Sequence, residues 1–141
     1  MKFWDSSALV PLLVEEQTTE ALLNLFRDDQ DMMVWWGTPV ECASALSRVE
    51  REGYLSASQI ANSFKRLDAI SSNWVQIEPV NEIREIARRF LRVHPLRSAD
   101  ALQLAAAFLA SEHRPNTLEV VTLDERLFSI AEKEGFLTVT I

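Results

Sequence analysis

From end to end, short apolar or β-branched runs alternate with longer segments of helical periodicity, and this alternation constrains the fold more than any other feature. Lys2–Asp5 ends in an acid and feeds Ser6–Val14, which reads as a helix with Pro11 tolerated near its first turn. Thr18–Asp28 carries Ala21, Leu22, Leu25 and Phe26 at helical spacing, and Met32–Trp36, bounded by Gly37, reads as a second strand. Thr38-Pro39-Val40-Glu41 predicts a helix capped by Thr38, with Pro39 at its first position and Glu41 at its third, running to Gly53. Ser56 opens a helix reaching about Ser72, and Val75–Ile77 is a brief strand. Asn81–His94 puts Ile83, Ile86, Ala87, Phe90 and Leu91 on one face and is stopped by Pro95. Ser98 is the predicted cap of a helix to about Glu112. Leu118–Thr122 follows as a strand, Glu125–Glu134 as a helix closed by Gly135, and Phe136–Ile141 as the last strand.

Such a pattern predicts an α/β fold, a three-layer domain with a mainly parallel central sheet flanked by helices, whose ligands bind beyond the carboxyl ends of the strands. The 141 residues, 48% of them hydrophobic, suit one core, so residues 1–141 are expected to form a single domain. Cys42 is the only cysteine, which excludes an internal disulfide or thiolate cluster and fits a reducing cytoplasm. An acid as early as Asp5 argues against a signal peptide, and the longest apolar run, Leu104 to Ala110, is too short to span a bilayer. A net charge of −7 opposes non-specific attraction to nucleic acid. That objection weakens if four of the acids share one metal site, leaving −3 for the rest of the chain.

Four acids stand at predicted helix starts: Asp5 after the first strand, Glu41 past the second, Asp100 in the helix begun by Ser98, and Asp124 past the Leu118–Thr122 strand. Right-handed crossovers line up strand-to-helix turns along one sheet edge, so these separated positions can meet. Singly, each has a local explanation as a cap or a first-turn acid. Asp100 strains it. From Ala99 to Ala110 the only polar side chains are Asp100 and Gln103, so this helix is expected to be buried, and a buried carboxylate needs a partner. No Lys or Arg follows one turn on. Hard oxygen ligands select Mg²⁺ or Mn²⁺, and phosphodiester hydrolysis is the chemistry such ions serve.

The blocks Trp4-Asp5-Ser6-Ser7-Ala8-Leu9, Glu41, Arg97-Ser98-Ala99-Asp100-Ala101-Leu102-Gln103-Leu104-Ala105-Ala106-Ala107 and Val121-Thr122-Leu123-Asp124 together resemble a PIN domain, specifically a VapC-like toxin. The resemblance spans essentially the whole chain, and the Ser98–Ala107 block is its most specific part. It implies an Mg²⁺- or Mn²⁺-dependent endoribonuclease with one or two ions, usually dimeric, and silenced by a VapB-like antitoxin. By position, Asp5, Glu41, Asp100 and Asp124 match the family's acidic quartet, with the hydroxyls of Ser7 and Thr122 beside the first and last acids.

For RNA contact, Arg84, Arg88, Arg89, Arg92 and Arg97 gather five of the 14 basic residues into one segment, with Arg84, Arg88 and Arg92 on one helical stripe. A solvated helix face accounts for them equally. Trp36, close to Glu41, is the tryptophan best placed to stack on a base. His94 and His113 would be needed for a metal-free mechanism, but both fall near helix ends, where histidine commonly caps, and Cys42 reads as buried and inert. The competing reading is a catalytically silent α/β protein-binding module whose acids are helix caps.

Overall fold

The computed structural model describes all 141 residues. Five strands, β1 (Lys2–Trp4), β2 (Met32–Trp35), β3 (Val75–Ile77), β4 (Glu119–Val121) and β5 (Leu137–Thr138), form one sheet in the order β3-β2-β1-β4-β5. Every pairing is parallel. The helices are α1 (Ser6–Leu13), α2 (Thr19–Asp28), α3 (Thr38–Arg51), α4 (Ala57–Ser71), α5 (Asn81–Val93), α6 (Ser98–Ala110) and α7 (Glu125–Lys133).

Side chains alternate across the sheet and build a core on each face. Phe3, Trp35 and Val120 pack with α5, α6 and α7, while Trp4, Val34 and Val121 pack with α1, α3 and α4. The layers are therefore helix, sheet, helix, as the alternation predicts. From β1 the chain winds outward through β2 and β3, then returns to the other side of β1 for β4 and β5. The reversal opens a crevice at the carboxyl ends of β1 and β4. No helix is long and apolar enough to cross a membrane.

Four local expectations need correction. Pro11 is the sixth residue of α1, past the first turn, so the helix lacks one internal hydrogen bond; Pro11 is buried, and Thr19 Oγ1 donates to its carbonyl at 2.7 Å. Thr38 does not cap α3. Gly37 occupies the cap position, and Thr38 is a buried helical residue whose hydroxyl oxygen accepts from Gln103 Nε2 at 3.0 Å, a tertiary bond that displaces the local one. Arg97, not Ser98, is the cap residue of α6, and it caps with backbone alone. The last strand contracts to Leu137–Thr138, because it lies at the sheet edge with only β4 to pair. Where a chain reversal demands positive φ, the expected glycines serve: Gly53 at +75° after α3 and Gly135 at +94° after α7.

Candidate active site

Asp5 and Asp124 flank the crevice between β1 and β4. Asp5 caps α1, accepting from the Ser7 amide at 3.3 Å, and Asp124 caps α7, its Oδ1 accepting from the Leu127 amide at 2.9 Å. The capping explanation is thus correct for these two, but it uses only part of each carboxylate. Asp5 Oδ2 also receives the hydroxyls of Ser7, at 2.6 Å, and Thr122, at 2.8 Å. Each hydroxyl oxygen in turn accepts a backbone N–H, Ser7 from Leu123 at 2.9 Å and Thr122 from Asp124 at 3.1 Å. Two relays running from amide to hydroxyl to carboxylate therefore fix Asp5 and stitch the β1–α1 turn to the β4–α7 turn. A hydroxyl has one proton to give, so the 3.1 Å approach of Ser7 to Thr122 is a consequence of both facing Asp5.

All of these donors fall on Oδ2. The only side-chain polar atoms sealed from solvent without a partner are Trp4 Nε1 and Gln103 Oε1, so Oδ1 of the otherwise buried Asp5 reaches solvent. Asp100, half-buried on the first turn of α6, makes no side-chain hydrogen bond and no ion pair; Glu41, on the first turn of α3, receives the Gln103 amide. No lysine or arginine is paired to any of the four acids.

Three of the acids, Glu41, Asp100 and Asp5, hold their protons more tightly than free carboxyls do. Burial pushes the Glu41 carboxyl up to about 7, with Asp5 and Asp100 adding to the rise and Gln103 opposing it. Burial raises Asp100 as well, helped by Asp124 and Asp5 and opposed by Arg97 and Arg126. Asp5 is raised by burial against the pull of Ser7 and Thr122, with Asp124 contributing a smaller rise. Each is thus a carboxylate short of positive charge. No three acidic, histidine or cysteine side chains close on one point at ligand spacing. The donors that could meet an ion are carboxylate oxygens backed by hydroxyls, a hard set suited to Mg²⁺ or Mn²⁺. Cys42 offers no competing soft ligand: it is fully buried, and burial pushes its thiol up to about 12.

The other candidate residues divide. Trp36 is 51% exposed just past the end of β2 and lines a recess of about 340 Å³ with Val80, Asn81 and Arg84. Arg84, Arg88 and Arg92 are exposed on α5, opposite its buried Ile83, Ala87 and Phe90. Arg97 lines a recess of about 570 Å³ together with Asp100, Asp124, Glu125 and Arg126. His94 is held by Glu134 and His113 by Glu82, so the two histidines share no bond. Two residues escaped the reading of the sequence. Gln103 was visible as the only polar side chain besides Asp100 between Ala99 and Ala110, three residues and so about one turn after it. Arg126 carried no signal, because an arginine on the first turn of a helix is ordinary until the fold places it beside Asp100.

No curated protein matches the chain in sequence. Among solved structures, similarity extends to PAE2754 from Pyrobaculum aerophilum, 21% identical, with a TM-score of 0.65 over 98% of this chain and 83% of that one. It extends also to FitAcB from Neisseria gonorrhoeae, 14% identical, with a TM-score of 0.68 over 99% of this chain and 97% of that one. FitAB bound to the IR36 DNA fragment, likewise 14% identical, gives 0.67 over 99% and 94%. At these identities the likeness is one of fold. The sequence profile of the PIN domain, however, matches residues 2–133, nearly the whole chain, and the protein belongs to the PIN-domain family.

Proposed function

We propose that the protein is a metal-dependent endoribonuclease, the toxin of a toxin–antitoxin pair, in which Asp5, Glu41, Asp100 and Asp124 hold one or two Mg²⁺ or Mn²⁺ ions. Asp100 carries this reading: a half-buried carboxylate without hydrogen bond or ion pair, its proton affinity raised by burial and then by two neighbouring acids, calls for a shared cation. When bound, the cation supplies Lewis acidity that activates water and offsets charge on the leaving oxygen. Asp5 presents Oδ1 while Ser7 and Thr122 hold its Oδ2. Burial pushes the Glu41 carboxyl up to about 7, so near neutral pH cation binding competes with a proton there and is favoured as pH rises.

RNA as substrate, a VapB-like antitoxin and a second copy of the chain as partners rest on the VapC-like resemblance. Trp36 with Arg84 is the candidate base contact, and Arg84, Arg88, Arg92 and Arg97 are the candidate backbone contacts. The silent-module alternative draws support from the capping bonds of Asp5 and Asp124, but neither Asp100 nor Glu41 caps anything. Cleavage of an RNA pool separates the two readings. It should require Mg²⁺ or Mn²⁺ and vanish on chelation, whereas undiminished cleavage in excess EDTA would remove the metal mechanism.

A further inference from the structure

Two of the helix starts that carry the acids also carry arginines. Arg97 immediately precedes α6, three residues before Asp100, and Arg126 is the second residue of α7, two after Asp124. The structure assigns to Arg97 and Arg126 a two-pronged seat for a backbone phosphate of the substrate strand, next to the phosphate that is cut; this rests on the nuclease reading above.

Both arginines line the 570 Å³ recess with Asp100 and Asp124, and both are exposed. Neither is spent on a protein partner. No ion pair involves either, Arg97 makes no side-chain hydrogen bond, and Arg126 makes only a long one, 3.5 Å to the Pro95 carbonyl. Within the recess the two guanidiniums stand beside the carboxylates of Asp100, Asp124 and Glu125, and they are its only positive side chains. The guanidinium's planar fork of donors suits phosphate oxygens. On α5, by contrast, Arg84 is tied to Asn81 and Arg89 lies over the Phe90 and Phe108 rings. The strand then crosses the starts of α6 and α7, and an acidic protein obtains its hold on RNA where the cutting occurs.

The test measures binding of a short, random-sequence, fluorescently labelled single-stranded RNA to the full chain by anisotropy, with Ca²⁺ in place of Mg²⁺, together with KM and kcat in Mg²⁺. Arg97→Gln and Arg126→Gln should each weaken binding roughly three- to tenfold. The double variant, which gives up the one phosphate held by both arginines, should make the salt dependence shallower by roughly 0.7 in log–log slope. KM should rise while kcat at saturation stays near the parent value. Arg27→Gln, at the end of α2 and so on the opposite edge of the sheet, removes the same charge and should change nothing. Unchanged affinity and slope in the double variant, or an equal loss from Arg27→Gln, would overturn the seat. A parent protein that cuts RNA while the double variant cuts with the same KM removes the seat and leaves the nuclease reading. One that binds RNA through these arginines but never cuts it removes the nuclease reading and leaves the seat.

Discussion

Gln103 gives both amide hydrogens to α3, one to Thr38 and one to Glu41, and keeps a buried Oε1 with no donor. A buried oxygen left without a donor costs about 1–3 kcal/mol, so the two bonds that Gln103 gives to α3 are made against that penalty. Its effect on Glu41 is to favour the ionised carboxylate against burial. Gln103→Leu removes that bond at similar volume, and Glu41 should then hold its proton to higher pH. We predict that the rising limb of the pH–rate profile moves upward by up to about one pH unit, since a pKa unit corresponds to about 1.4 kcal/mol of differential interaction. A profile with an unshifted limb would show that Glu41 titrates independently of Gln103. At Asp5, Ser7 and Thr122 act in the same sense as Gln103 does at Glu41, opposing the rise that burial imposes.

At the scale of elements, the α5 stripe and the starts of α6 and α7 compete as the path of the RNA. If Arg84, Arg88 and Arg92 bind phosphates, changing all three to Gln should weaken binding across sequences and flatten the salt slope by roughly 0.7 for each phosphate no longer held. Turnover of bound RNA should change little. Unaltered affinity and slope would make the stripe an ordinary solvated face. Most elements were legible in the sequence because hydrophobic period, proline and glycine all act locally: α5 is bounded as its apolar face and Pro95 require, and Ser56 forms a capping box with Gln59. What was not legible depended on interactions between distant segments. Thr38 looked like a cap until Gln103, 65 residues on, took its hydroxyl oxygen. The four acids could be picked out as helix-start residues, but their mutual influence required strand order, with β4 returning beside β1. Arg126 became meaningful only once α7 was placed against α6.

For the whole molecule, the raised carboxyls make metal-free stability depend on pH in an unusual sense. Where a folded-state pKa lies above its ordinary value, the native state binds protons more tightly than the unfolded chain. The contribution is fully present below the ordinary pKa and is lost as pH rises through the folded one. For Glu41 that window runs from 4.5 to about 7, and Asp5 and Asp100 act in the same direction. Asp29, lowered to about 2 by the N-terminal amine and Lys2, acts in the opposite sense but only at much lower pH. Metal-free protein should therefore melt several degrees lower at pH 8 than at pH 5, and Mg²⁺ or Mn²⁺ should restore the loss at pH 8. A melting temperature insensitive to both pH and metal would show that the acids neither repel nor bind. The claim that these acids jointly hold a cation is tested most directly at Asp100, by measuring RNA cleavage and metal-free melting of Asp100→Asn beside the parent. The amide is isosteric and relieves repulsion while giving up a ligand charge, so cleavage should fall by orders of magnitude, metal-free stability should hold or rise, and the stabilisation by Mn²⁺ should disappear. A variant that melts far below the parent without metal, yet cleaves RNA normally, would make Asp100 a structural acid and contradict the account.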